Sequence, residues 1–224
     1  MRFKLKEIFM ETKEYYHGSP VLFDSFNLEY LASGSGVRFG VGVYLTEAFD
    51  TAAHYSEPRH ASAEHHYVYT VEVPKPTEDN CLPYYGVPVP RGIIERVEEI
   101  LGESLPDIIK GSGRDADGKG VSLGKLLRKY IAHRCSGTPK ESLTTEAQID
   151  AATTINAEVQ ASKFLLEVGV LFIEWPQGSW SKYPNCKKNI AVLDPSLVKI
   201  VQVEEVDLDE KAKYKKNSRR PVGD

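Results

Sequence analysis

The periodicity of apolar residues changes twice along this chain. It alternates two by two near the start, takes the spacing of helices in the middle, and returns to alternation towards the end. Strands gathered before and after a helical block predict an α+β fold, not a parallel sheet with a helix after every strand. The clearest early strand is His66 to Val73, HYVYTVEV, closed by Pro74 and Pro76, which cannot donate to a ladder. Residues 15–23 read as a strand that turns at Gly18-Ser19-Pro20. Val43-Tyr44-Leu45 reads as a short strand. Thr46 is expected to cap a helix over 47–56, with Glu47 and Asp50 in its first turn and Ala48, Ala52 and Tyr55 on its apolar face. Residues 91–102, 122–134 and one long stretch from Thr145 to about Glu167 read as helices, the last stopped by Gly169. Val170 to Trp175, Asn189 to Leu193 and Val198 to Val206 read as late strands. Residues 1–14, charged with scattered apolar positions, allow a short helix.

The 224 residues suit one domain over 1–206 with a helical insertion at about 91–165. A tail over 207–224 carries Lys211, Lys213, Lys215, Lys216, Arg219 and Arg220 without a core pattern, and is expected to be disordered. The net charge of -4 excludes a basic field over the whole protein, though not a local patch. Three cysteines, far apart and without a CxxC pair, suit a reducing compartment. No apolar run has the length of a signal peptide or approaches the roughly 20 residues of a membrane span. A cytoplasmic protein without a membrane partner is expected.

Three pieces, in order, carry a resemblance. Tyr16-His17-Gly18-Ser19 lies on the first strand. Phe39-Gly40-Val41-Gly42-Val43-Tyr44-Leu45-Thr46 is followed by Ala52-Ala53-His54-Tyr55. Asn189-Ile190-Ala191-Val192-Leu193-Asp194-Pro195 leads to Val198-Lys199-Ile200. Together they resemble ADP-ribosyltransferases of the diphtheria-toxin and poly(ADP-ribose) polymerase branch. The likeness spans about residues 15–203 and is nearest to bacterial and phage mono-ADP-ribosyltransferases of toxin type, which also carry stretches like Val68 to Pro74 and Leu165 to Trp175. The resemblance implies a split, mostly antiparallel β-sandwich with a helical insertion. It also implies NAD as substrate, transfer of its ADP-ribose to an intracellular macromolecule, and a role as toxin or defence effector, with an antitoxin or inhibitor protein as a further partner.

It also implies roles for individual residues. Tyr44 and Tyr55, eleven positions apart, would flank the nicotinamide, a task that suits aromatic faces. Gly18 would offer its backbone to the carboxamide, and His17 would bond the adenosine ribose hydroxyls, with Ser19 nearby. Arg38, in the glycine-rich stretch Ser33 to Gly42, is a candidate partner for the pyrophosphate. That stretch is neither a GxGxxG turn nor a P-loop. Two departures stand out. Asn189 takes the place of a catalytic Glu on the late strand. Ala52, with Thr51 beside it, takes the place of a Ser that helps hold the carboxamide. A carboxylate about 4 Å from a developing cation contributes about 4 kcal/mol at an effective dielectric near 20, about a thousandfold in rate. Its loss argues for single or slow transfer, or for a substitute acid. Glu174, on the preceding strand, is the first candidate.

Other signals are weaker. His54, His60, His65 and His66 crowd one region without metal-site spacing, so no metal is expected. Asp115-Ala116-Asp117-Gly118 lacks a full calcium ligand set. His133 and Cys135 on a helix point apart. Lys125, Arg128, Lys129 and Arg134 place local positive charge on one helix. The acceptor is read as protein slightly before RNA or DNA. An NAD glycohydrolase and a non-catalytic NAD-binding module stand as the alternative functions.

Overall fold

A computed structural model describes residues 11–27, 38–58, 63–178 and 183–223. Of the short helix allowed over 1–14, residues 1–10 lie outside the described residues, as do His60, Ser33 and the rest of the glycine-rich stretch before Arg38, while residues 12–14 are strand, paired with residues 72–74. Eight strands form one mixed sheet: β1 Thr12–Ser19, β2 Val43–Thr46, β3 Tyr67–Pro74, β4 Cys81–Pro83, β5 Phe172–Pro176, β6 Lys188–Val192, β7 Lys199–Glu205 and β8 Arg220–Pro221. Their order is β4-β5-β6-β2-β1-β3-β7-β8. Only β4 and β5 run parallel; the other neighbours are antiparallel. The fold is therefore α+β, with hydrogen bonding continuous through all eight strands.

The join in the middle of that sheet is narrow. β1 and β3 pair along eight residues, from Thr12↔Pro74 to Ser19↔Tyr67. β1 and β2 meet at one pair, Tyr16↔Thr46. Beyond it the two strands part, so His17, Gly18 and Ser19 run along an edge that β2 does not cover. The sheet is thus divided into two four-strand halves, and the division is where the cleft described below opens.

Among the described residues, five α helices accompany the sheet. α1, Phe49–Tyr55, begins after Ala48, not after Thr46. Thr46 Oγ1 accepts a 3.3 Å bond from Ala48 N–H while Thr46 itself completes β2; strand pairing with Asn189 across to β6 claims the residue first. α2 is Arg91–Leu101 and α3 is Leu123–Cys135. In α3 the buried positions Leu123, Leu126, Leu127, Tyr130 and Ile131 follow the three–four spacing of one helical face. The expected long helix from Thr145 is two: α4, Glu146–Ile149, and α5, Ile155–Glu167. Each has its own threonine cap. Thr145 makes a capping box with Gln148, and Thr154 accepts a bond from Ala157 N–H at 3.2 Å. Two start signals nine residues apart mark two helices, and the second cap outweighed the continuing apolar spacing. Gly169, at φ +82°, ends α5 as expected.

The segment 91–167, between β4 and β5, builds the larger core with α3 packed on α5 and both over one half of the sheet. Two polar side chains of α5 face inward. Glu158 pairs with the buried Arg128, and Ser162 Oγ accepts a 3.0 Å bond from Val41 N–H. Arg128 in turn donates to the Arg38 carbonyl at 3.2 Å. The helical segment thereby fixes residues 38–41, a wall of the cleft.

The tail over 207–224 is not the free end its composition suggests. Through Gly223 it folds back on the domain. Arg220–Pro221 pairs with β7, and Val222 N–H bonds the Val203 carbonyl at 2.9 Å. Arg219 pairs with the buried Glu204 and lies 4.1 Å over the Phe49 ring. Leu208 and Tyr214 close a small apolar cluster around Ala52 and Ala53 of α1. Its two arginines are matched to specific carboxylates, Arg220 meeting Asp207 at 2.7 Å. The histidines have similar local partners: His54 bonds the Ala212 carbonyl, His65 meets Glu205 and His66 faces Glu57. Among the described residues no group of acidic, His or Cys side chains is arranged to hold a metal. No described helix is long and apolar enough to cross a membrane, and the three cysteines are unpaired.

Candidate functional site

Where β1 and β2 part, a cleft of about 370 Å³ opens between the two halves of the sheet. Its lining brings together His17, Gly18, Arg38, Tyr44, Tyr55 and Asn189. These residues come from β1, the 38–41 segment, β2, the end of α1 and β6. They are up to 172 positions apart, the difference between 189 and 17.

His17 spans the gap that the ladder leaves. Its Nδ1 lies 2.9 Å from the Tyr44 carbonyl oxygen. A carbonyl only accepts, so Nδ1 carries the proton and Nε2 is left as an acceptor. Nε2 has no hydrogen-bond partner among the described residues. Burial lowers the imidazole pKa below its ordinary 6.5, opposed in part by that backbone bond. The ring is held edge-on by Phe26 at 5.0 Å.

Gly18 is required by packing. A Cβ at this position would come 1.7 Å from the Ala52 carbonyl oxygen and 2.8 Å from Ser56 N. The glycine lets α1 lie directly on β1, which sets where Tyr55 stands at the helix end. Tyr55 is 60% exposed, so its ring is available at the mouth.

Tyr44 is held from both ends. Its backbone sits in β2, and its hydroxyl donates to the Gly40 carbonyl at 2.8 Å while accepting from Phe39 N–H at 3.0 Å. Burial pushes its pKa up to about 12. The hydroxyl is therefore committed and neutral, and the ring is what Tyr44 presents. Gly40, at φ +97°, allows the tight return that brings its carbonyl to that hydroxyl. Trp175 meets Tyr44 edge-on at 5.4 Å, and Phe39 stacks on Trp175 at 3.9 Å.

Asn189 is 4 residues before the end of its apolar strand segment at Leu193 and pairs across to Thr46 and Trp175. Its Oδ1 is buried without a hydrogen-bond partner. A buried amide oxygen left so costs about 1–3 kcal/mol, unless something else donates to it.

Two expected site residues, Glu174 and Thr51, are elsewhere, and a third, Ser19, lines not this cleft but the cavity that adjoins it at His17. Glu174 is one position before Trp175 and so points through the opposite face of the sheet. There it accepts from the Tyr183 hydroxyl at 2.8 Å and meets Lys188 at 2.8 Å. The alternation that puts Trp175 beside Asn189 excludes Glu174 from the cleft. Thr51 faces Gln177, which donates to its hydroxyl; Ala52, the next residue, is the one that lines the cleft. Ser19 turns its hydroxyl onto Val21, accepting from Val21 N–H at 3.0 Å. No Asp or Glu is among the described residues lining the cleft. Phe39, Thr46 and Trp175 line it as well. Trp175 comes beside Asn189 only through the register of β5 on β6, and Phe39 became a wall only through its stacking on Trp175.

A second cavity, of about 530 Å³, adjoins on the other side of His17 and is apolar, with Val21, Leu22, Phe23 and Phe26 around it. Val21 and Leu22 are exposed, and Phe23 stacks on Tyr69 at 4.3 Å. His17 lines both spaces.

No family model matches the chain, and neither does any curated protein or solved structure.

Proposed function

We propose that the chain binds NAD across these two cavities and transfers its ADP-ribose to a macromolecular acceptor, as a mono-ADP-ribosyltransferase. The observation that carries this reading is a pair of acceptors without partners, His17 Nε2 and the buried Asn189 Oδ1, in one cleft walled by tyrosine rings. A nucleoside supplies what they lack: ribose hydroxyls to donate to them and a flat ring to lie on the tyrosines. In this reading the nicotinamide lies at Tyr44 and Tyr55 with its ribose at Asn189. The adenosine lies beyond His17, its base on the apolar side at Phe23 and Phe26. Resemblance to the ADP-ribosyltransferases supplies the chemistry, and this arrangement supports it.

In the reaction, the bond from ribose C1′ to the nicotinamide nitrogen breaks with its electron pair leaving on nitrogen. The acceptor forms a new bond to C1′ and gives up a proton. Rings that surround the nicotinamide and an asparagine that holds its ribose set the angle of departure, while His17 anchors the adenosine ribose. With no lining carboxylate among the described residues, the cation that develops is met by the Asn189 dipole alone. That favours single transfer over chain elongation. Water as the acceptor would make the chain an NAD glycohydrolase, and no nicotinamide release at all would leave an NAD-binding module.

The test is nicotinamide release from NAD by the full chain, with covalent ADP-ribose followed in parallel. Tyr44→Ala is expected to lower release by at least roughly tenfold, since one stacked ring contributes on the order of 1 kcal/mol beyond its buried area. Release by Tyr44→Ala at the wild-type rate would place the cleft elsewhere.

The pH profile gives an independent check on His17. Its pKa is lowered on folding, so between the folded value and 6.5 the unfolded chain holds more protons. Its contribution to stability is complete above 6.5 and is lost as pH falls below that value. Protonation also turns Nε2 into a donor. Nicotinamide release should therefore stay level from pH 8 down through about 6.5 and fall only at more acidic pH. A decline centred at or above 6.5 in wild type, and absent in His17→Gln, would contradict the buried neutral ring.

A further inference from the structure

A third cavity continues from the cleft on the side away from His17. It measures about 650 Å³ and is lined by Arg38, Lys125, Arg128, Lys129 and Glu158, with Tyr85 at its edge. Arg38 lines both this cavity and the cleft. The three spaces therefore follow one another, apolar, then aromatic, then basic, with His17 and Arg38 at the two boundaries.

The charge in the third space is not fully matched. Four cations line it. Glu158 meets Arg128 and Lys129, and Asp150 meets Lys125 at 2.6 Å. Among the described residues, four cations less two carboxylates leave an excess of two positive charges. Arg38 is exposed and has no carboxylate partner among the described residues. Arg134, the fourth cation of this helix, is turned away onto Glu103 at 2.8 Å. Burial and the Arg128 charge lower the Lys129 pKa, which is the response of an ammonium in a site already too positive. The far end of the Tyr85 ring packs on residue 120, where a Cβ would come within 2.6 Å of it. This packing holds the ring at the rim of the cavity.

We propose that this basic cavity seats the acceptor and that the acceptor is a single-stranded nucleic acid, its phosphates on Arg38 and Lys125 and a base against Tyr85. NAD laid with adenosine beyond His17 and nicotinamide at Tyr44 occupies the two cavities that share His17, so in this placement Arg38 is not taken by its pyrophosphate, as the resemblance had implied, and the third space is left to the acceptor. Cations that track a backbone beside an aromatic face suit a strand whose bases are unstacked. A net charge of -4 confines such binding to a local site. The transfer step rests on the NAD reading: a nitrogen or oxygen of the strand replaces nicotinamide at C1′ and releases its proton to solvent. The binding claim stands without that reading.

The experiment is fluorescence anisotropy of labelled single-stranded RNA and DNA oligonucleotides with the full chain, over a range of salt. Wild type should bind one or both strands, less tightly as salt rises. The double variant Arg38→Gln/Lys125→Gln should bind at least about tenfold more weakly, with a salt slope smaller by about 1.4, two phosphates at about 0.7 each. Tyr85→Ala should weaken binding without changing the slope. Circular dichroism checks that each variant is folded; if the double variant is not, Lys125→Gln alone is used. Wild type that binds neither strand, or a folded double variant that binds as wild type, overturns the proposal. So does displacement of the strand by a phosphoserine peptide at equal concentration, which would assign the cavity to a phosphoprotein. Nicotinamide release, measured on the same preparation, separates the two readings. Strand binding without release supports this site and sinks the transfer reading; release without strand binding does the reverse.

Discussion

Gly18→Ala should lose about 3 kcal/mol of stability, at the upper end of the range for overpacking, and melt roughly 6–12 °C lower at this chain length. The added carbon has nowhere to go. Its nearest neighbours are the Ala52 carbonyl at 1.7 Å and the Ser56 backbone nitrogen at 2.8 Å, both main-chain atoms of α1 or its cap. A flexible side chain could step aside, but a helix backbone must move as a body. The shift would carry Tyr55 away from Tyr44, so molecules that still fold should also release nicotinamide more slowly. Gly111→Ala is the control. Gly111 has φ -68°, and a Cβ there would meet nothing nearer than 3.6 Å; its melting point should stay within a few degrees of wild type. Equal melting points for Gly18→Ala and Gly111→Ala would mean that α1 is not seated on β1 as described.

That result bears on what a sequence can disclose. The resemblance implied at Gly18 a glycine spared for a ligand; the chain's own helix, 34 positions later, by itself forbids a side chain there. Local alternation was enough to identify β3, β6 and β7, and the three–four spacing to identify α2 and α3, because each is a property of neighbouring residues. Register across the sheet is not local. Glu174 and Trp175 differ by one position, and only the pairing of β5 with β6 decides that Trp175 stands beside Asn189 while Glu174 faces Tyr183 and Lys188. The strand expected over 170–175 already contained that alternation, so the choice between the two was open to the parity of the late strands. The basic tail was misread for a different reason. Two of its partners, Glu204 and Asp207, lie close by in sequence and Phe49 far away, and composition counts charges without saying which of them are paired. The third cavity was partly visible, as cations at helical spacing, but Arg38 joins them only through the fold.

The largest gain in rate should come from Asn189→Asp. The substitution keeps the shape of the side chain and replaces its amide nitrogen with oxygen, so that the buried, unpartnered Oδ1 becomes part of a carboxylate. In the proposed reaction, positive charge gathers on the nicotinamide ribose as the bond to nicotinamide stretches. At about 4 Å and an effective dielectric near 20, one carboxylate stabilises that charge by about 4 kcal/mol, the equivalent of about a thousandfold in rate. The full effect requires the carboxyl to be ionised. The cleft is walled by Trp175, Phe39 and Tyr44, and burial among rings raises a carboxyl pKa. Nicotinamide release by Asn189→Asp should therefore acquire a rising limb with pH that wild type lacks, and reach its highest rate above that limb. The acid is costly to bury, so the variant should melt below wild type as pH rises through the same range, while its turnover climbs. Asn189→Ala, which offers neither charge nor dipole, should fall below wild type. Opposite movements of rate and melting point with pH are the signature of a charge that the fold resists and the transition state accepts. If Asn189→Asp and Asn189→Ala both turn over at the wild-type rate, residue 189 does not face the reacting carbon and the ribose lies elsewhere in the cleft.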